Sequence, residues 1–201
     1  MKKAIIITLI VSLFLMISCA CPKPKQTPMT NMPPEPELPK PPKTVSPLPD
    51  IVSMDEMTLV GYEKDFDGET MAEIPSMWMT LMQSVDEIKN RANDTEAWGS
   101  SYNMNYGGDS FTFTYFAGYE VTDATDVPEG MVVHVVPASK YAKFAHYGSL
   151  DGLSQTYSYI YGGWMPQSGY EQGPGDELEL YNEDFNHTGL NSTMYIFVPI
   201  Q

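Results

Sequence analysis

Cysteine and positive charge are both scarce in this sequence. Cys19 and Cys21 are the only cysteines among 201 residues, and both lie near the N-terminus. The rest of the chain therefore cannot form a disulfide framework, a thiolate metal site or a catalytic cysteine. From residue 51 onward, five lysines and arginines stand against 23 acidic residues. This balance excludes nucleic-acid binding, which depends on lysine and arginine contacts with phosphates.

The sequence also lacks the motifs of the common cofactor and metal sites. Its three histidines are far apart, and none has a partner at metal-ligand spacing. Neither a glycine-rich phosphate loop nor a nucleophile elbow is present. We therefore expect neither a cofactor nor a bound metal.

The N-terminus begins with two lysines and continues with an apolar run. Residues 4–17 are apolar apart from two hydroxyl side chains, and a helix of that length spans about 21 Å. A hydrocarbon core is about 30 Å thick, so the run is typical of a signal peptide rather than of a membrane-spanning helix. We expect residues 1–18 to be a lipoprotein signal peptide, because Met16-Ile17-Ser18-Cys19 resembles a bacterial lipobox.

Cys19 is then the predicted lipid-attachment residue. The lipid would anchor the chain to a membrane of the cell envelope, which is the outer membrane if the source is Gram-negative. Two alternatives stay open at this point. Cys21 could carry the lipid instead, or the chain could be an ordinary secreted protein cleaved near Ala20.

A proline-rich segment follows the predicted anchor. Residues 22–50 contain 11 of the 17 prolines and no aromatic residue. Such a composition cannot bury a core, and it is typical of an extended, polyproline-like spacer. We therefore interpret residues 19–50 as a lipidated tether that is dispensable for folding, and residues 51–201 as the folded domain.

The folded part shows two successive β-α-β-β patterns, which predict an α+β fold with mostly hairpin-connected, antiparallel strands. In the first pattern, a helix begins near Pro75 and carries an apolar stripe of Trp78, Leu81, Val85 and Ile88. The predicted elements of the first unit are a strand at 57–62, this helix, and strands at 97–104 and 111–120. Those of the second unit are a strand at 131–136, a helix at 149–161, and strands at 177–181 and 193–199.

Several short segments, taken in order, carry a family resemblance. They are Ile74-Pro75 with Trp78, residues 115–121, residues 137–148, Trp164-Met165-Pro166, Glu179-Leu180-Tyr181 and residues 194–200. This order over residues 51–201 resembles the GyrI-like small-molecule-binding family, which is the effector-binding domain of AraC-type and MerR-type multidrug-sensing regulators. The resemblance implies two β-α-β-β units about a pseudo-two-fold axis, with a central ligand cavity. No segment of the chain resembles a DNA-binding domain, so promoter binding is not expected to carry over.

Glu179 is the residue on which the predicted site depends. Strand alternation places Glu177, Glu179 and Tyr181 on one face, and the pattern alone would make that face solvent-exposed. The resemblance implies instead that Glu179 lies at the floor of an aromatic pocket and pairs with a lipophilic cation, while we expect Glu177 to be solvated. The predicted aromatic lining is Trp164, Tyr157, Tyr115, Tyr181 and Tyr195, with Trp78 either in the lining or in the core.

These residues predict a non-catalytic binder of small, amphipathic, cationic molecules. A hydrolase of small electrophilic compounds is the alternative, with Glu179 as the base and Tyr157 or Tyr195 as the hydrogen-bond donor. An interaction domain whose pocket has lost its ligand is a third possibility. The sequence does not distinguish among them.

Lipid attachment at Cys19 can be tested directly. Metabolic labelling with a lipid precursor should mark the wild-type protein and leave Cys19→Ala unlabelled, because only the thiol of the lipobox cysteine accepts the lipid. Full labelling of Cys19→Ala would move the anchor to Cys21 or overturn the lipobox interpretation.

Overall fold

Eight strands form a single antiparallel sheet in this computed structural model, which describes residues 42–107, 111–189 and 191–201. The predicted signal peptide and Cys19 lie outside the described residues. The strands are β1 Asp50–Met54, β2 Met57–Asp67, β3 Ala97–Asn105, β4 Thr112–Glu120, β5 Val132–Val136, β6 Ser139–Tyr147, β7 Glu177–Tyr181 and β8 Thr193–Pro199. In the described part of the chain, no helix combines the length and the apolar character needed to span a bilayer.

Two helical segments cover one face of the sheet. Helix α1, Ile74–Ser84, has Pro75 in its first turn, where the missing N–H costs no hydrogen bond. The predicted stripe is confirmed: Trp78, Leu81, Val85 and Ile88 all pack into the core beneath α1. The second segment begins with α2, Leu153–Tyr159, and continues through a π-helical turn, Ile160–Trp164, into the short helix α3, Met165–Ser168. The remaining helical turns are the 3₁₀ segments Thr70–Glu73, Val85–Glu87 and Leu150–Gly152.

The π-helical turn has a local cause in the sequence. Pro166 lies two residues after it and cannot donate a backbone hydrogen bond, and its ring would clash with the carbonyl group four residues earlier in an ordinary α-helix. Widening the preceding turn relieves that clash. The segment then ends at Gly169, whose φ of 76° suits glycine.

The strand order is β1-β6-β8-β7-β3-β4-β2-β5. The trio β2-β4-β3 mirrors the trio β6-β8-β7, and the two trios meet where β3 pairs with β7. The predicted α+β class is confirmed, but the first strand of the second unit is β6 and not residues 131–136. Strand β5 is an edge strand that buries Val136 but leaves its other three valines exposed, whereas β6 buries Tyr141, Ala142 and Phe144.

The sheet is strongly curved because short links join strands on its opposite edges. Two residues connect β5 to β6, and two connect β1 to β2. In both pairs, one strand lies at one end of the sheet order and the other lies near the opposite end. Three Cα–Cα steps reach about 11 Å at most, so the two edges must approach each other. A buried cluster that includes Trp98, Phe116, Tyr141 and Leu178 fills the inside of this curve, on the face away from α1 and α2.

The folded domain begins earlier than the sequence predicted. Val45 is 3% exposed and belongs to the core beneath α2. Ser46 N donates to the Ala145 carbonyl at 2.9 Å, and the Tyr159 hydroxyl donates to the Pro47 carbonyl at 2.7 Å. The predicted boundary between residues 50 and 51 is therefore wrong, because the end of the proline-rich segment packs on the domain. A single valine among prolines shows no hydrophobic periodicity, so the sequence does not indicate that Val45 is buried.

Truncation tests this packing. A domain that starts at residue 51 should melt about 3–12 °C below one that starts at residue 42. Removing Val45 exposes its core site at a cost of about 1.5–3 kcal/mol, and each kcal/mol lowers the melting temperature by about 2–4 °C at this size. Thermal melts followed by circular dichroism give the comparison, and Val45→Ala should reproduce part of the loss. Equal melting temperatures for the two truncations would contradict the packing described here.

Candidate functional site

A large cavity opens between α1 and α2, above the central strands β3, β4 and β7. Its volume is about 1210 Å³, which is ample for a drug-sized molecule. Aromatic and methionine side chains make most of its lining, which includes Met71, Trp78, Met79, Met82, Met104, Tyr106, Phe111, Phe113, Tyr115, Tyr157, Tyr161 and Tyr181. A surface of this kind offers apolar contact with few directional constraints.

Glu179 lies at the floor of the cavity and is 8% exposed. Its Oε2 accepts hydrogen bonds from the Tyr115 hydroxyl at 2.8 Å and the Tyr181 hydroxyl at 3.0 Å. Its Oε1 accepts one from the Tyr157 hydroxyl at 3.2 Å. Trp78 Nε1 donates to the Tyr115 oxygen at 3.1 Å and so fixes that ring in turn. The three donors to Glu179 come from α2, β4 and β7, and Trp78, which supports Tyr115, comes from α1. This one carboxylate is therefore hydrogen-bonded to both halves of the fold.

The three tyrosines are dependable donors to Glu179. Burial, and then the charge of Glu179, raise the pKa of Tyr115, Tyr157 and Tyr181 well above the ordinary value of 10.0. All three hydroxyls therefore keep their protons at neutral pH. These three hydrogen bonds offset part of the free-energy cost of burying the Glu179 carboxylate. None of the three donors carries a positive charge.

Gly99 is a site residue that the sequence analysis missed. It pairs with Glu179 across β3 and β7. A Cβ at this position would lie 2.5 Å from the Tyr115 hydroxyl and 3.0 Å from Glu179 Oε2, so a side chain there would displace the hydrogen-bonded pair. The signal that could have found it is a glycine in the middle of a predicted strand, which often marks a close approach of other groups.

Glu177 also lies in the cavity, contrary to the expectation that it would be solvated. It is 7% exposed, accepts a hydrogen bond from the Tyr161 hydroxyl, and accepts another from Gln172 Nε2 at 3.2 Å. Burial raises the pKa of Glu177, and the charge of Glu179 adds to the rise, while the bonds from Tyr161 and Gln172 partly oppose it. The alternation that put Glu177 and Glu179 on one face was correct, but that face points into the cavity.

The structure brings five of the seven predicted ligand-binding residues together. Glu179, Trp78, Tyr115, Tyr157 and Tyr181 share the cavity lining. In addition, Trp78 and Tyr181 contact each other edge to face, with ring centroids 4.8 Å apart. The sequence predicted that Trp78 lies either in the lining or in the core. It does both, since it lines the cavity and also packs against the core beneath α1.

Trp164 and Tyr195 lie outside the cavity, so their predicted place in its lining is wrong. Trp164 is held in the core beneath α2, edge-on to Phe144 at a centroid distance of 5.2 Å, and it borders a separate cavity of about 330 Å³. Tyr195 is on β8, where alternation turns it to the opposite face of the sheet. There the Lys143 ammonium group lies 4.1 Å from its ring centroid.

Carboxylates outnumber basic side chains in the described lining of the cavity, whose one imidazole is that of His187. Among the described residues that line it, none is lysine or arginine, and Glu177 and Glu179 are its only carboxylates. Within the same ranges, no three histidine, aspartate or glutamate side chains are placed to hold a metal ion. Such a cavity can accept apolar surface at its sides and a positive group at its floor.

Replacing Glu177 tests its burial through the pH dependence of stability. The folded-state pKa is raised above 4.5, so ionisation destabilises the fold increasingly as pH rises through that pKa. Wild type and Glu177→Gln should melt together near about pH 4, while the variant should melt higher at about pH 8, by about 2–4 °C for each kcal/mol gained. The exposed Glu183, replaced by glutamine, is the control and should show no such divergence. A Glu177→Gln protein that is less stable at both pH values would contradict this account.

Comparison with known proteins agrees with this architecture. The GyrI-like small molecule binding domain matches residues 48–201. The transcriptional regulator BrlR of Pseudomonas aeruginosa is 30% identical over 151 residues, which is 75% of this chain and 54% of the regulator. The chain thus spans about half the length of that relative.

Two solved structures share the fold at low sequence identity. The protein SAV2435, solved with bound tetraphenylphosphonium, superposes with a TM-score of 0.62 at 17% identity, covering 76% of this chain and 93% of the other. The EcmrR C-terminal domain gives 0.54 at 16% identity, covering 76% and 96%. The predicted family is confirmed by the match over residues 48–201, and this chain belongs to the GyrI-like small-molecule-binding family.

Proposed function

We propose that this protein binds small amphipathic cations in the cavity around Glu179 and presents that cavity from the cell envelope. The observation that carries the proposal is a buried carboxylate whose partners in the described structure are neutral tyrosine hydroxyls, at the floor of an aromatic cavity. Small-molecule binding as such follows from the family. The cationic class of ligand and the envelope location are the proposed parts.

The energetics of Glu179 favour a positive ligand. A buried carboxylate without a cationic partner loses more solvation than hydrogen bonds alone restore. A cation placed against it gains an attraction that surrounding water would otherwise weaken. The rings of Trp78, Tyr115 and Tyr181 add cation–π attraction of about 0.5–2 kcal/mol each where they face the charge.

The shape of the cavity favours a bulky, largely apolar ligand. Its volume of about 1210 Å³ exceeds what a simple ammonium ion needs, and most of the lining is aromatic or thioether. The tetraphenylphosphonium named for SAV2435 has this character, with one positive charge inside four apolar rings. It is therefore a suitable probe for this chain.

The envelope location is supported by the sequence. The apolar run before Cys19 and the proline-rich segment after it fit a lipid anchor and a spacer. The resulting role is to sequester such compounds or to deliver them to a partner at the membrane. A role in transcription is not proposed, because the relative BrlR is about twice as long as the segment it shares with this chain.

Glu179→Gln tests the proposed role of the carboxylate. Its affinity for tetraphenylphosphonium should fall by about 2–4 kcal/mol, the cost of losing one partner of a buried charge pair, or roughly 30- to 700-fold in Kd. Binding of neutral triphenylphosphine oxide should change little, because the aromatic contacts remain. Isothermal titration calorimetry on both proteins measures this.

Glu183→Gln is the matched control, because Glu183 is an exposed glutamate four residues away. Glu177 cannot serve as the control, because it lines the same cavity. If Glu179→Gln and Glu183→Gln bind the cation equally well, the proposal fails. The same samples, incubated with small electrophiles, test the hydrolase alternative: product formation that is lost in Glu179→Gln would favour an enzyme.

A further inference from the structure

The strand β7 presents two carboxylates to one cavity. Glu177 and Glu179 are two residues apart on the same face, and a strand advances about 3.4 Å per residue, so the positions are about 7 Å apart. Across the pairing with β3, Gly99 lies opposite Glu179 and Ser101 lies opposite Glu177. Neither neighbour carries a charge, so nothing on β3 neutralises either carboxylate.

The helical segment above β7 repeats this spacing. Tyr157 donates to Glu179, and Tyr161 donates to Glu177. Four residues along a helix advance about 6 Å, which nearly equals the advance of two residues along the strand. The two tyrosine rings are parallel within 6°, with centroids 6.4 Å apart. The site therefore contains two tyrosine–glutamate pairs, Tyr157–Glu179 and Tyr161–Glu177, set side by side about 6–7 Å apart.

Each pair has its own aromatic surroundings. Trp78, Tyr115 and Tyr181 surround Glu179. Near Glu177 the cavity is lined by Tyr161 and by Tyr106, whose ring stacks on Phe111 at a centroid distance of 5.0 Å. Both positions thus combine a carboxylate with aromatic faces, which is the combination that recognises an alkylated ammonium group.

One positive charge cannot satisfy both pairs. The described lining contains no lysine or arginine, and Gln172, the other donor to Glu177, is neutral. Two buried carboxylates at this distance repel each other, consistent with the raised pKa of Glu177. A ligand with a single cationic centre at Glu179 leaves this second negative position without a counter-charge.

We propose that the cavity selects dications whose two positive centres lie about 6–7 Å apart, with one centre at each tyrosine–glutamate pair. This inference rests on the proposed function, because it assigns a ligand class to the same cavity. Glu179 provides binding of cations in general. Glu177 provides the preference for the doubly charged ones.

The test uses bis-quaternary ammonium compounds with nitrogens held about 4, 7 or 12 Å apart, chosen to bracket the spacing along the strand. The matched monocation has the middle skeleton, with one nitrogen replaced by a quaternary carbon. Calorimetry on the wild-type domain should show the 7 Å dication binding at least about tenfold tighter than the monocation, and tighter than the dications of either other spacing.

Glu177→Gln should abolish that preference, so that this variant binds the dication and the matched monocation with affinities within about threefold of each other. Glu179→Gln should weaken both ligands, and Glu183→Gln should change neither. If the wild type binds monocations and dications equally, or if Glu177→Gln keeps the preference, the dication proposal fails while the proposed function stands. If the wild type binds no cation of either charge, both fail together.

Discussion

The carboxylate of Glu179 and its three tyrosine donors are the interaction on which the arrangement of the cavity depends. Tyr115 comes from the first half of the fold, while Tyr157 and Tyr181 come from the second. They converge where β3 pairs with β7, which is the only strand pairing between the two trios in the described sheet. Because a buried carboxylate needs all its hydrogen bonds, it fixes how α1 and α2 sit over the sheet. The size and polarity of the cavity follow from that placement.

The two halves contribute unequally to the site. Helix α1 supplies Trp78 and the methionines at the rim, which give adaptable apolar contact. The segment that contains α2 supplies Tyr157 and Tyr161, both of which donate to carboxylates. The pseudo-symmetric fold therefore carries an asymmetric site, in which α1 provides mainly apolar surface and the segment that contains α2 donates hydrogen bonds directly to both carboxylates.

Much of this architecture could be predicted from the sequence, because the strands and helices have clear periodicity. The alternation in Glu177–Tyr181 shows correctly which side chains share a face, and the stripe from Trp78 to Ile88 shows correctly which side of the helix packs into the core. Periodicity shows which side chains share a face, but it does not show what packs against that face. Glu177 was expected in water because charged residues usually are, and only the position of α2 over β7 shows that this face is enclosed.

Trp164 and Tyr195 were misplaced for two different reasons. Trp164 lies at the end of the π-helical turn, whose extra width rotates the residues after it relative to an ordinary helix. The position of Tyr195 depends on which face of β8 lies toward α2, and that is set by pairing with β6 and β7 rather than by local sequence. Val45 escaped detection because one apolar residue among prolines has no period.

The exchange of edge strands has a consequence for folding. Strand β1 belongs to the first half of the chain but pairs with β6, and β5 completes the edge beside β2. Neither half can therefore satisfy its backbone without the other, and a fragment ending before β6 would leave β1 unpaired, an open template for association. Contacts so distant in sequence slow the formation of the native state. The two duplicated units therefore fold together as one cooperative unit. The native sheet forms only after β8 is available to pair with β6 and β7.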